Sequence, residues 1–262
     1  MKNQILKLVP LLGLLLVLSN SQAQTIPSTE NESLNMVKFN AMSLFGGKFS
    51  FEYERMLTNR IAAAAAISIR PNKGLPFRST IKNFADDEEL NQLIDEFSSS
   101  NFSITPEVRF YTSKRGPFRG FYIAPYVKYA SYGASLPLDF DIEETGIYSR
   151  TETIPLKGDL TSFTAGVSCG VNFKLSRNIH LDWRIMGPGY GSAKGSVSGK
   201  MALDADEQSA LRESLADLKT DMEDLPLSVK IDYDVNADGA NIKVLRSPWA
   251  GIRSGLSIAY RF

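Results

Sequence analysis

Ten charged side chains fall on one parity of alternating segments: Lys38, Glu52, Glu54, Glu107, Arg109, Lys128, Asp182, Arg184, Arg253 and Arg261. On a strand, residues two apart share a face. If those strands close into a small barrel with this parity inward, the ten form a lumen charge network. Charges held there must be paired or watered, because an unpaired buried charge is costly. Eight strands leave an interior just wide enough for side chains to fill, so a salt-bridged plug is expected ahead of a narrow ion or solute pore.

Two further constellations could carry chemistry. The single histidine, His180, has Asp182 on the same face of a strand. A histidine base oriented by a carboxylate is half of a hydrolase or acyltransferase, and lipid A or a phospholipid would be the substrate of such an enzyme in a membrane. No serine has a spacing that marks it as the nucleophile. A structural histidine in the lumen is therefore expected, and no catalytic residue is assigned. The run Asp232-x-Asp234-x-Asn236-x-Asp238-Gly239 has the carboxylate spacing of the first half of a calcium loop. Counted from Asp234, the twelfth residue is Leu245 rather than the bidentate Glu that closes such a loop. Asp234, Asn236 and Asp238 are thus a weak metal candidate, and Asp238-Gly239 reads more simply as a hairpin turn. No cofactor is expected.

The elements that would position these residues are short and alternating. Eight segments of roughly strand length appear, at about 36–45, 48–57, 60–70, 101–112, 119–132, 160–175, 178–187 and 250–262. In the last, Ile252, Leu256, Ile258, Tyr260 and Phe262 oppose Gly251, Arg253, Gly255, Ser257, Ala259 and Arg261. The polar faces are also rich in small residues, such as Ala62, Ala64, Ala66, Gly166, Ser168 and Gly170. Small residues suit a crowded lumen better than a solvated surface, and the apolar faces carry aromatics near strand ends, as membrane girdles require. The fold expected is all-β: an eight-stranded antiparallel up-and-down transmembrane barrel.

The joins support it. Those at 58–59, 113–118 and 176–177 are short, while those at about 71–100, 133–159 and 188–249 are long. Short periplasmic turns and long outer loops are the outer-membrane pattern. The first outer join is an exception, read as a three-residue loop, Gly46-Gly47-Lys48, pairing Phe45 with Phe49. Each long loop carries more acids than bases. Helical spacing predicts short helices over Asp86–Phe97 and Asp204–Leu225, the latter with Leu211, Leu215, Leu218 and Met222 on one stripe. Residues 136–142 with 154–156, and 229–235 with 242–245, could extend strands outward as hairpins.

Composition and the N-terminus bound the rest. The 262 residues carry 29 Lys+Arg and 29 Asp+Glu, so no basic excess points to nucleic acid. Residues 1–23 read as a signal peptide: Lys2 and Lys7, an apolar run from Leu8 to Leu18, and Ser21-Gln22-Ala23 before a cleavage point. The run is too short to span a bilayer as a helix, which takes about 20 residues. Residues 24–35 would be a short lead-in and 36–262 the barrel. Cys169 is the one cysteine, so no intrachain disulfide can form.

Three motifs resemble a known family. Phe51-Glu52-Tyr53-Glu54-Arg55, Gly120-Phe121-Tyr122-Ile123-Ala124-Pro125-Tyr126 and Ala259-Tyr260-Arg261-Phe262 are similar to strands of a family of small outer-membrane barrels of unknown function common in Bacteroidota, with the eight-stranded architecture of OmpA- and OmpX-like barrels. The aromatic Phe262 resembles the terminal signal by which the barrel-assembly machinery recognises its clients. The resemblance implies a fold, an outer-membrane address, and outer-membrane lipid and the assembly machinery as partners. It implies no catalytic residue. The expected role is non-catalytic, either structural or in binding an extracellular ligand through the acidic outer loops. A lipid-modifying enzyme using His180 and a narrow pore are the alternatives.

Overall fold

The computed structural model describes residues 33–84, 91, 94–113, 116–144, 148–224 and 229–262. The signal peptide and most of the lead-in therefore lie outside the described residues. Among the described residues eleven strands run in chain order as β1 (Asn35–Asn40), β2 (Phe49–Met56), β3 (Ile61–Lys73), β4 (Ser98–Tyr111), β5 (Gly120–Glu144), β6 (Tyr148–Lys174), β7 (Ile179–Met186), β8 (Pro188–Lys200), β9 (Lys230–Asn236), β10 (Gly239–Ile252) and β11 (Gly255–Arg261). Helix α1 spans Arg78–Phe84 and α2 spans Ala205–Asp224.

Eight of the strands close a ring. Each of β1 to β6 pairs with its successor, β7 pairs with β11, and β11 returns to β1, all antiparallel. The closing register sets Val37 opposite Tyr260 and Lys38 opposite Ala259. At the seam Phe262 donates its N–H to the Asn35 carbonyl at 3.0 Å. A closed ring leaves no edge strand to recruit another chain.

The ring is only the lower part of the molecule. β5 and β6 stay paired from Gly120↔Asn172 to Glu144↔Tyr148. β8 pairs with the upper half of β6, β10 with β8, and β9 with β10. These five strands form an open outer sheet that continues the barrel wall. The hairpins expected at 136–142 with 154–156 and at 229–235 with 242–245 are thus present as strand pairs, while 188–200, read from sequence as loop, is also strand. In 188–200 the cause is composition: a Gly- and Ser-rich run has no large side chains to alternate. Its glycines are needed for close approach, since a Cβ on Gly191 or Gly195 would strike the β6 carbonyl of Phe163 or Asp159.

Helix α2 lies against this sheet and starts at a reciprocal cap. Asp204 Oδ1 accepts the N–H groups of Asp206 and Glu207 at 2.9 and 2.8 Å, and Glu207 Oε2 accepts the Asp204 N–H at 2.9 Å. Leu211 and Leu215 are fully buried in a cluster with Phe140, Ile142, Ile154 and Leu156. Ile231, Val235, Ala240 and Ile242 complete it from β9 and β10, and Leu218 and Met222 pack at its margin.

Two differences from the sequence reading concern the outer joins. The first strand ends at Asn40 rather than 45, and Ala41–Gly46 forms a 3₁₀ turn. The first hairpin register is therefore Phe39↔Phe51, not Phe45 with Phe49. Asn40 caps the turn through its side chain, and Gly47 ends it at φ 65°, a left-handed conformation suited to glycine. Much of the expected helix at Asp86–Phe97 lies outside the described residues, although Asn91 and residues 94–96 are helical. Helix α1 precedes it and was not read from the sequence.

Candidate functional site in the barrel lumen

Strand parity carries the charged side chains into the ring. On β2 Glu52 and Glu54 point inward, on β4 Glu107 and Arg109, on β7 Asp182 and Arg184, while Phe51, Tyr53, Ile104, Phe110 and Trp183 face out. One extra residue on β7, between the pairs Gly170↔Arg184 and Cys169↔Met186, then moves the inward positions to odd numbers. Beyond this bulge Gly187 and Ala193 are buried.

Eight of the ten sequence-singled charges meet in one network. Lys38 Nζ bridges Glu52 at 3.0 Å and also contacts Glu54 and Asp182. Arg109 is the hub. Its guanidinium reaches Glu52, Glu54 at 3.2 Å, Glu107 at 2.6 Å and Asp182. Arg184 joins Glu52 and Glu107 at 2.8 and 2.7 Å, and Arg253 joins Glu107 at 2.8 Å. Four cations face four carboxylates, so the network is formally neutral. Neutrality matters, because each ion taken from water costs several kcal/mol that only dense pairing can offset.

Tyrosines complete the cluster. Tyr111 donates to Glu54 Oε1 at 2.6 Å and Tyr122 to Asp182 Oδ1 at 2.9 Å, while the Arg109 guanidinium lies 4.3 Å from the Tyr122 ring centroid. Sequence reasoning left these two tyrosines out, although both share the inward parity. Arg253 sits 4.4 Å over the Tyr126 ring. Glu52, Glu54 and Asp182 present carboxylate oxygens close enough to hold a metal ion, but the Lys38 ammonium contacts all three.

The other candidates are placed elsewhere. Arg261 lies at the inner end, donating from Nε to the Ser33 carbonyl at 2.6 Å and lying 5.6 Å from the Phe118 ring centroid. Lys128 faces the lumen further out and makes no ion pair with a network carboxylate among the described residues. Both leave the network for the same reason: their strand positions lie above or below the layer where the carboxylates cluster.

His180 is fully buried, with Nδ1 2.8 Å from Asn172 Oδ1 and its ring edge-on to Phe118. Asp182, its sequence neighbour on the same face, is engaged by Lys38, Arg109 and Tyr122 instead. No Ser or Thr hydroxyl bonds to the imidazole among the described residues, and Nε2 has no hydrogen-bond partner there. Asp234, Asn236 and Asp238 lie exposed in the β9–β10 hairpin, with Gly239 opposite Asn236 across a two-residue turn. Asp238 N–H donates to Asn236 Oδ1 at 2.9 Å, and alternation puts Asp234 and Asn236 on the strand face away from the helix.

A closed antiparallel ring, apolar outside and ion-paired inside, defines a small β-barrel of the inverted kind. The chain belongs to a family described as a protein of unknown function (DUF3575), whose model matches residues 23–197, about two thirds of its length. No curated protein matches it. Among solved structures, the N-terminal β-barrel domain of Pseudomonas aeruginosa OprF aligns over 89% of this chain and 100% of that one, at 8% identity and a TM-score of 0.26. So slight a likeness carries no argument, and the barrel rests on its own strand pairing.

Proposed function

We propose that this is an outer-membrane β-barrel with a closed lumen, exported with loss of residues 1–23, whose outer sheet and α2 stand above the lipid as a structural or ligand-binding cap. The observation that carries the reading is a change of outward surface at one height. On β5 the outward residues are Phe121, Ile123, Pro125, Val127 and Tyr129, then Ser131, Gly133, Ser135, Pro137, Asp139 and Asp141. On β6, read downward, they are Thr153, Pro155, Lys157, Asp159 and Thr161, then Phe163, Ala165, Val167, Cys169, Val171 and Phe173. The register sets Tyr129 opposite Phe163 and Ser131 opposite Thr161, so both strands change from apolar to polar together. Phe49, Phe102 and Tyr190 are exposed near the same level, as an aromatic girdle would be. The apolar stretch on each strand is about 9–11 residues, the length a tilted strand needs to span a bilayer.

The role proposed is non-catalytic. His180 is held by Asn172, and Asp182 is fully engaged elsewhere, which supports a structural histidine over a lipid-modifying enzyme. The filled ion network likewise favours a plug over a pore.

Fractionation with outer membranes and a shift in gel mobility on boiling are expected, with mature protein beginning at Gln24. Recovery as a soluble monomer without detergent would sink the reading. Conductance in planar bilayers at high protein load would remove the plug, and an altered phospholipid or lipid A profile in a His180→Ala strain would restore the enzyme.

A further inference from the structure

Above the neutral ion network the lumen opens into a cavity of about 500 Å³, bounded by the 3₁₀ turn and the walls of β2 to β5, β7 and β10. Five cations line it: Lys48, Arg70, Lys128, Arg184 and Arg253. Among the described residues no Asp or Glu belongs to the lining, while the hydroxyls of Ser50, Ser68, Ser103 and Thr105 do. We infer that this cavity is a binding site for a multivalent oxyanion of the phosphate class.

The argument begins with charge balance. Arg184 and Arg253 are compensated by Glu52 and Glu107. Arg70 is turned to neutral acceptors, the carbonyls of Gly46, Ser99 and Gly74 at 3.2, 3.0 and 2.8 Å, with the Ser99 hydroxyl beside them. Lys48 and Lys128 form no ion pair with a carboxylate among the described residues and lie close enough to repel one another. Burial is the main cause lowering the Lys48 pKa, with Lys128 and Arg70 adding to it and Tyr132 opposing. A bound oxyanion would offset this, taking charge-assisted hydrogen bonds from the ammonium groups and neutral ones from the hydroxyls. The acidic residues of the outer sheet do not oppose it, because none lines the cavity and charges beyond about 8 Å are largely screened at physiological salt.

The volume admits either free phosphate or a small organic phosphate, and the same chemistry could arrive as a lipid headgroup. The test uses the mature chain refolded in a maltoside detergent, which carries no phosphate of its own. Inorganic phosphate and a short-chain phosphatidic acid are titrated separately by calorimetry, with the matching diacylglycerol as the uncharged comparison. Wild type is expected to bind at least one phosphate probe and not the diacylglycerol. Lys48→Met/Lys128→Met should weaken that binding about tenfold or more. Lys174→Met, an exposed cation at the inner end of β6, should leave it unchanged. Binding of the lipid probe alone assigns the site to a headgroup, and binding of inorganic phosphate assigns it to a soluble anion. Heat-modifiable migration verifies each fold. If the double variant fails there, Lys48→Met alone, on the turn outside the barrel wall, gives the same reading. The proposal is overturned if wild type binds neither phosphate probe at millimolar concentration, or if the lysine variants bind as wild type does.

Discussion

The lower barrel and the outer sheet share two strands, β5 and β6, yet their interiors are chemical opposites. Even-numbered residues of β5 keep one parity up to Ile142 and enter an interior at both ends, with Ala134 and Leu136 exposed between the two cores. Below they are Tyr122, Ala124, Tyr126 and Lys128, and above they are Leu138, Phe140 and Ile142. The backbone does not change, and the surroundings do. On the proposed membrane reading, the lower outer face meets lipid, so apolar residues go outward and polar ones must be paired inside. Where the outer face meets water, the apolar residues turn to the interior and pack under α2. One continuous pleat thus holds an ion-paired core and an oily core, and they should fail differently.

The largest difference is expected at Arg109. Its removal leaves four carboxylates sharing too few cations in a closed space. Arg109→Leu should cost about 3–5 kcal/mol, the range for breaking a buried ion pair from one side. Urea unfolding of the barrel in lipid vesicles, followed by the heat-modifiable band, would measure it. A wild-type midpoint would show the network to be expendable.

Leu211→Ala tests the other core. A fully buried leucine truncated to alanine costs about 2–5 kcal/mol, but here the loss should stay above the lipid. Faster proteolysis in α2 and the β9–β10 hairpin, with the heat-modifiable barrel band intact, is the expected pattern. If the band disappears as well, the two cores fold as one unit and the contrast between them is only compositional.

The boundary itself can be probed by moving one charge along β6. Val167→Arg puts a cation on the outward face within the apolar belt and should cost about 2–4 kcal/mol in lipid. Thr153→Arg makes the same change fourteen residues nearer the hairpin, on a face that meets water, and should stay within about 0.5 kcal/mol. Equal costs at the two positions would remove the lipid boundary.

These contrasts also explain what the sequence revealed. The ring was legible because an apolar outer face and a crowded polar lumen force strict alternation, as at Phe49 to Glu54. The α2 stripe was legible because Leu211, Leu215 and Leu218 keep helical spacing behind an Asp–Glu cap. The outer strands were harder. In 188–200 small residues replace the large ones that reveal alternation, whereas 136–142 with 154–156 kept enough apolar residues to be expected as a hairpin. Membership of the ion network was readable as a parity, but the height of each residue was not. That is why Lys128 and Arg261 were grouped with a layer of charges they lie outside, while Lys48, read as part of the Gly46-Gly47-Lys48 loop, was left out of the lumen set.

The smallest expected effect compares ion pairing outside the barrel with ion pairing within it. Asp95 is half exposed beside Lys82 and lies 3.6 Å from Arg78, the first residue of α1. The hydrogen bond from Lys82 is the main influence holding its carboxyl below the ordinary aspartate range. A carboxyl depressed by folding contributes stability above its unfolded value, about 3.9, and loses it as pH falls through the lower folded value. Protection of the α1 amides, such as Ile81 N–H bonded to the Phe77 carbonyl, should therefore fall toward that of Asp95→Asn as the medium is acidified below about pH 4. Salt should erase the same difference at neutral pH, because a solvent-exposed pair is screened. The lumen network, shielded by the ring, should show no such salt response. A wild-type to variant protection ratio that is flat in both pH and salt would mean that Asp95 contributes nothing to anchoring α1, and that dense ion pairing stabilises this chain only where water is kept out.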